Sequence, residues 1–216
     1  LALVAGAALA GSPGRGGSLF TLLDGDARTL ALGKALVPVA GGGSGLFGNP
    51  AGAALEPEIS IAITHLAYAA GFFGDSAAAV LPVGPESVIG ASLFAFMHDA
   101  LPVTSEEFPN GTGALARIAC FQAQMLGDRT GVGVRMRVTH EVYGETRIAG
   151  MAADAGGVLL VSPEVTAGFA VRGLGKRILG RENPDPVPLT VDLGARWSMP
   201  AVPLVVYGGG SLAAYY

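Results

Sequence analysis

The stretch that decides the fold is Thr130–Tyr143, "TGVGVRMRVTHEVY". Apolar and polar residues alternate along it, and a two-residue period is typical of a β-strand, whose successive side chains point to opposite faces. One face carries Val132, Val134, Met136 and Val138, and the other carries Arg135, Arg137, Thr139 and Glu141. The pattern therefore predicts a strand with one strongly apolar face and one charged face.

Segments of the same kind recur along the chain after Pro57. Nine strand candidates cover residues 59–68, 76–83, 87–98, 113–126, 130–143, 148–161, 164–175, 189–199 and 203–216. Most are joined by short stretches rich in turn residues, such as "VGPE", "LGDRTG" and "VSPE". Parallel strands would need crossover connections of about a dozen residues or more, for which there is no room. The spacing therefore predicts an antiparallel meander.

The composition narrows the class of protein further. Half of the residues are hydrophobic and 14% are charged, whereas soluble domains carry about 25% charged residues. No apolar run of about 18 residues is free of Gly, Pro or charge, which argues against transmembrane helices. The polar faces carry Gly, Ala, Ser and a few arginines, which suits an enclosed lumen better than bulk water. We therefore predict an all-β, antiparallel up-and-down transmembrane β-barrel; a soluble β-sandwich is the alternative.

The N-terminus, "LALVAGAALAGSPG", is a short apolar run that ends in the small residues of Ala8-Leu9-Ala10. This pattern is typical of the end of a secretory signal peptide. We therefore predict that residues 1–10 are a signal-peptide remnant and that the protein is exported. An ordinary hydrophobic terminus is the alternative.

Several classes of function find no support in the sequence. A net charge of −4 without a basic run argues against nucleic-acid binding. A single cysteine, Cys120, excludes an internal disulfide framework and a cysteine-based zinc cluster. The three histidines, His65, His98 and His140, lack metal-ligand spacing, and "GGGSG" at 41–45 lacks the strand and helix that flank a nucleophilic serine. We predict no catalytic residue, metal or cofactor.

Residues 24–57 differ from the strands because they are rich in glycine and proline. Within "SGLFGNPAGAALEP", the element Asn49-Pro50-Ala51-Gly52 has the residue types that most strongly favour irregular backbone. Proline fixes φ and lacks a backbone donor, and glycine permits conformations that other residues avoid. A plain turn is one interpretation, because Asn-Pro commonly starts turns.

The segment "DGDARTLALGKALVPVAGGGSGLFGNPAGAALEP" resembles the start of the PorV/PorQ-like proteins, which belong to the FadL-type superfamily of outer-membrane barrels. The matching residues are Ala27-Arg28, Leu32-Gly33, Ala35, Asn49 to Gly52, His65, Tyr68, "LPVG" at 81–84, "GMAADAGGVLL" at 150–160 and "VPLTVDLGARW" at 187–197. Asp26 stands where the family usually has glycine. The resemblance runs from about residue 24 to the end.

The resemblance implies a domain plan. Residues 24–57 would fold into the lumen as a hatch whose key residues are Asn49, Pro50, Ala51 and Gly52, with Asn49 bonding backbone and Pro50 fixing the bend. Irregular backbone is tolerated at membrane depth only where protein or water surrounds it. Residues 58–216 would form about nine or ten strands of a larger barrel, incomplete at its C-terminus, in a bacterial outer membrane and in contact with its lipid.

Four arginines fall on the polar faces of their strands: Arg135, Arg137, Arg172 and Arg196. One interpretation is a structural ladder, in which the charges of the lumen pair across strands. The other is a site that binds a carboxylate headgroup, because a guanidinium can bind a carboxylate in a bidentate fork. The four arginines are therefore the ligand candidates.

The family resemblance implies two functions of different classes. The first is passive uptake of hydrophobic, fatty-acid-like small molecules, gated by the hatch. The second is a PorV-like component of a type IX secretion system that binds secreted proteins. The loops are mostly short, which favours uptake; the longest are "DALPVTSEEFPNGTG" and "GKRILGRENPDPVP". A purely structural barrel is a third interpretation.

Overall fold

All nine predicted strands are present. The computed structural model describes residues 4–9, 25–32, 45–68, 71–98, 113–143, 146–179, 187–201 and 204–214. The strands are β1 Val4–Leu9, β2 Ser60–Ala67, β3 Phe72–Gly84, β4 Ser87–His98, β5 Gly113–Leu126, β6 Thr130–Tyr143, β7 Thr146–Leu160, β8 Val165–Leu179, β9 Leu189–Ser198 and β10 Val205–Ala214. A short helix, α1, spans Ala27–Ala31, and a 3-10 helix spans Pro50–Leu55.

One sheet contains every strand, in the order β1-β10-β9-β8-β7-β6-β5-β4-β3-β2. Strands β2 to β10 form an antiparallel meander, which confirms the prediction, and β1 joins β10 in parallel. The predicted barrel is not closed among the described residues, where β2 pairs with β3 alone and β1 with β10 alone. The signal-peptide assignment of residues 1–10 stays a prediction, with part of that range in β1.

The sheet buries its polar face and exposes its apolar face. On β6, Arg135, Arg137 and Glu141 are buried, whereas Val134, Met136 and Val138 are exposed. The same alternation along β5 buries Arg117 and exposes Ile118. We call the buried side the inward face and the other side the outward face. The outward face carries Ile61, Ile63, Leu81, Ile89, Leu93, Met97, Ile118, Leu126, Val134, Met136, Val138, Met151, Leu159, Phe169, Leu193, Trp197 and Leu212, all exposed.

The contacts of residues 25–32 indicate that the sheet curls. The Ser76 hydroxyl in β3 donates to the Gly25 carbonyl, and seven residues later Leu32 packs against Tyr207 in β10. In a flat sheet β3 and β10 would lie about 34 Å apart. Residues 25–32, which include α1, span less than about 20 Å. The inward faces of the two strands must therefore approach each other around this segment.

The turns and the two short helices complete the fold. Tight turns after β3, β5 and β7 lie together at one end of the sheet, which we call the tight-turn end. Asp26 caps α1, because its carboxylate accepts hydrogen bonds from the Thr29 amide and hydroxyl. Among the described residues, none of the helices has the length and apolar character needed to cross a membrane.

Candidate functional site

The inward face is built around one buried carboxylate, Asp154 in β7. Its Oδ2 accepts hydrogen bonds from Arg135 Nε at 2.7 Å and lies 2.6 Å from Arg135 NH2. Its Oδ1 lies 3.5 Å from Arg137 NH2 and accepts a 2.7 Å hydrogen bond from the Gly173 amide. Arg135 and Asp154 face each other in register on β6 and β7, which sets this geometry. Several donors thus satisfy one buried carboxylate, as its desolvation requires.

A β-bulge in β8 aims the Gly173 amide at Asp154. The register shifts between Ala153 and Ala155, where two residues of β8 oppose Asp154. Gly173 has a φ of 88°, a conformation that L side chains rarely adopt. The preceding residue, Arg172, donates from Nε to Asp192 Oδ2 at 2.6 Å. The bulge therefore serves both buried ion pairs.

The Asn-Pro-Ala-Gly element lies against the inward face close to the tight-turn end. Asn49 Nδ2 donates to the carbonyls of Gly157 in β7 and Phe169 in β8, each at 3.1 Å. Asn49 Oδ1 accepts from the Ala51 amide at 3.0 Å and so caps the 3-10 helix. Pro50 takes the first position of that helix, where its missing donor is not needed. One side chain thereby ties the segment to two strands.

Glycines form the surface that receives this element. A Cβ added at Gly156 would lie 2.0 Å from Asn49 Oδ1, and one at Gly133 would lie 2.6 Å from the Ala51 amide nitrogen. No side chain fits at such distances. Gly133 and Gly156 are register partners on β6 and β7, so together they allow the 3-10 helix to lie directly against the strands.

The arginine network also reaches residues 45–58, which contain the Asn-Pro-Ala-Gly element and which we call the N-terminal segment. Arg135 donates from its guanidinium to the Leu46 carbonyl, so the same side chain binds Asp154 and the backbone that leads into Asn49. A buried ion pair and the position of this segment are therefore coupled through one residue.

The other half of the inward face is apolar. Leu46 and Phe47 pack with buried side chains of β3, β4 and β5, namely Ala78, Val80, Val88, Phe94, Phe96, Leu115, Phe121 and Ala123. Arg117 lies at the border of the two halves, with its guanidinium 5.3 Å from the centre of the Phe94 ring. The interior is thus amphipathic, with aromatic groups on one side and paired charges on the other.

The structure places the predicted site residues as follows. Asn49, Pro50, Ala51 and Gly52 are buried together, and Arg135, Arg137 and Arg172 are buried in ion pairs. Arg196 lies on the inward face of β9, partly buried, and takes no part in these ion pairs. Asp154 and Gly156 lie in the stretch 150–160 that carries the family resemblance, but their contacts with the arginines and with Asn49, and the part of Gly133, were not predicted. Besides that resemblance, the signal for Asp154 was an isolated acid within the small residues "MAADAGG".

The histidines and the cysteine, for which the sequence predicted no metal or catalytic role, lie away from this site where their side chains are described. His65 and Asp75 form an exposed pair on the outward face, 2.7 Å apart, and His140 and Cys120 are exposed there as well. Within the described part of the chain, no three His, Cys, Asp or Glu side chains are grouped as a metal site. The loop residues 99–112 and 180–186, which matter for the secretion alternative, lie outside the described residues.

A scan against protein-family models finds no match to this chain. A search of curated proteins likewise finds none. The resemblance to PorV/PorQ-like proteins therefore stays a prediction, and the chemistry of the site is the basis for a functional proposal.

Proposed function

We propose that the sheet is part of the wall of a transmembrane β-barrel of the PorV/PorQ and FadL type in a bacterial outer membrane. One observation carries the proposal: paired arginines and aspartates are buried on the inward face while the outward face is almost continuously apolar. In water, so large an exposed apolar surface favours association. In a bilayer the same surface contacts lipid, and a polar lumen is the usual interior.

The proposal requires that both edge strands of the sheet be paired. Unpaired backbone groups are too costly in hydrocarbon, so membrane strands occur in closed barrels. The open edges of β1 and β2 must therefore find strand partners in the membrane. The curl of the sheet around residues 25–32 is the shape that such closure needs.

The single tryptophan provides a direct test of the membrane wall. Trp197 lies on the outward face, half exposed, so its fluorescence should be quenched by brominated lipid in reconstituted vesicles and little affected by aqueous iodide. A matched control moves the reporter to the inward face at nearly the same height, in the double variant Trp197→Phe with Tyr207→Trp. The control should resist bromine quenching. Iodide quenching of Trp197 without bromine quenching would contradict the membrane wall.

For this barrel we propose passive uptake of hydrophobic, fatty-acid-like molecules, gated by the N-terminal segment as a hatch. The amphipathic interior supports this, because an apolar tail and a carboxylate each find a matching half. Leu46 and Phe47 fill the apolar half, where a tail would otherwise lie. A ligand tail and the hatch therefore compete for one surface, which couples binding to hatch movement.

Uptake can be measured in a Gram-negative host that lacks its own fatty-acid transporter. Expression of the protein in the outer membrane should raise the uptake rate of radiolabelled oleate severalfold and leave that of a hydrophilic sugar unchanged. Equal oleate uptake with and without the protein, in cells whose outer membrane contains it, would reject the uptake proposal while leaving the membrane wall intact.

A further inference from the structure

The described strands place more arginines than carboxylates on the inward face. The inward arginines of the described strands are Arg117, Arg135, Arg137, Arg172 and Arg196, and the inward carboxylates are Glu141, Asp154 and Asp192. Asp154 serves two arginines and Asp192 binds Arg172. Among the described side chains of these strands, the arginines outnumber the carboxylates by two.

Arg196 takes no part in these ion pairs. Within the described residues no carboxylate lies within ion-pair distance of its guanidinium, and its buried Nε has no hydrogen-bond partner. The nearest acid along its own strand face, Asp192, is four residues away, or about 13 Å, and the carboxylate of Glu164, diagonal to Arg196 just before β8, accepts a hydrogen bond from the Ser162 hydroxyl instead. A partly buried cation in this position favours an anion from outside the described structure.

Two hydroxyl side chains flank Arg196 in the register of the sheet. Thr166 in β8 and Tyr207 in β10 are its direct partners, and both are buried on the inward face. Directly opposite side chains have Cβ atoms about 5 Å apart, so both side chains are immediate neighbours of Arg196. Tyr207 is held in place by Leu32. The row therefore offers a fork of N–H donors and two O–H donors.

The row next to this one has no side chains. Gly168, Gly194 and Gly209 are register partners across β8, β9 and β10. The first carbons of an alkyl chain attached to an anion at Arg196 can lie directly against the strands there, before the apolar half in which we place the rest of the tail. This arrangement suits a carboxylate with an unbranched tail, in agreement with the amphipathic interior.

We infer that Arg196, with Thr166 and Tyr207, is the headgroup site for the carboxylate of the transported molecule, and that Arg135, Arg137 and Arg172 are structural. The inference rests on the proposed uptake function. It places the headgroup at the tight-turn end, the end at which the Asn49 element also lies. Binding there would hold the tail beside the hatch.

The test is the affinity of the purified chain in detergent micelles for 11-(dansylamino)undecanoic acid and for its methyl ester. The wild-type chain should bind the acid at least about tenfold more tightly than the ester, because a charge-assisted fork binds carboxylate alone. Arg196→Gln should abolish that preference and leave ester binding unchanged. Arg129→Gln, at the exposed β5–β6 turn, removes the same charge elsewhere and should keep it.

Two milder variants cover the case in which Arg196→Gln fails to fold by circular dichroism. Arg196→Lys should retain part of the preference for acid, and Tyr207→Phe, which keeps the ring against Leu32, should reduce it severalfold. A full acid preference in a folded Arg196→Gln or, if that variant is unfolded, in Tyr207→Phe would overturn the headgroup assignment and leave the uptake proposal standing. Failure of the wild-type chain to bind either probe would reject both.

Discussion

Replacing Asp154 by asparagine is expected to lower the free energy of unfolding by about 3–5 kcal/mol, because it leaves buried charges uncompensated. Asp154 is the shared partner of Arg135 and Arg137, and all three side chains are buried. Asparagine preserves the volume but removes the negative charge that faces two guanidinium groups. The unfolding midpoint in urea, followed by Trp197 fluorescence in micelles, measures the effect.

The chain contains a matched control for this substitution. Asp75 also has a side-chain partner, His65, whose Nδ1 lies 2.7 Å from its Oδ1, but more than half of each side chain is exposed. Exposed pairs contribute less than about 1 kcal/mol, so Asp75→Asn should change the midpoint little. If Asp75→Asn and Asp154→Asn lowered the unfolding midpoint equally, the stabilising role of the buried Asp154 ion pairs would be contradicted.

A second consequence of the Asp154 network concerns the N-terminal segment. Arg135 binds both Asp154 and the Leu46 carbonyl. Without the carboxylate, the Arg135 side chain loses the group that orients it, so its bond to Leu46 should also weaken. The hydrogen exchange of residues 45–58 in Asp154→Asn should therefore rise along with the loss of global stability, and Asp75→Asn should leave it unchanged.

The strands and their faces could be predicted from the sequence for a physical reason. Strand period and turn chemistry are local, so "GVGVRMRVTHE" alone assigns Arg135 and Val134 to opposite faces. The structure bears out both the nine strands and these faces. The 3-10 helix at Asn49 and the capping role of Asp26 escaped prediction because both depend on backbone geometry that few residues determine.

The choice of partner for each arginine could not be predicted, because it depends on register. Asp154 meets Arg135 only because β6 and β7 pair in one particular alignment, and it meets the Gly173 amide only because β8 is bulged there. A one-residue slip would reverse every face. The sequence therefore left a structural ladder and a ligand site as alternatives for all four arginines. The observed ion pairs favour the ladder for Arg135, Arg137 and Arg172.

Asn49→Ala is expected to release the N-terminal segment from the sheet. Asn49 is almost fully buried and makes three hydrogen bonds through its side chain. Its removal leaves the carbonyls of Gly157 and Phe169 without these donors, at a cost of about 2–4 kcal/mol. That cost corresponds to more than about a thirtyfold rise in the population of the released segment. Hydrogen exchange of residues 45–58 measures the release.

Asn49→Asp separates the two halves of the side chain. Aspartate keeps an oxygen that accepts from the Ala51 amide, but it replaces the donor to both strand carbonyls by a negative charge. If the cap of the 3-10 helix is what matters, Asn49→Asp should behave as the wild type. We expect instead that it releases the segment at least as fully as Asn49→Ala, since a carboxylate against two carbonyl oxygens is repelled.

The same release should follow from a change on the strand side alone. Gly156→Ala puts a methyl group 2.0 Å from Asn49 Oδ1, whereas Gly208→Ala meets nothing within 4 Å. Hydrogen exchange of residues 45–58 should therefore rise in Gly156→Ala and stay unchanged in Gly208→Ala. If the segment is the hatch, its release should raise the rate of oleate uptake in both Asn49→Ala and Gly156→Ala. Release of the segment with unchanged uptake in both would separate this element from gating, because the substitutions share only its docking against β7 and β8.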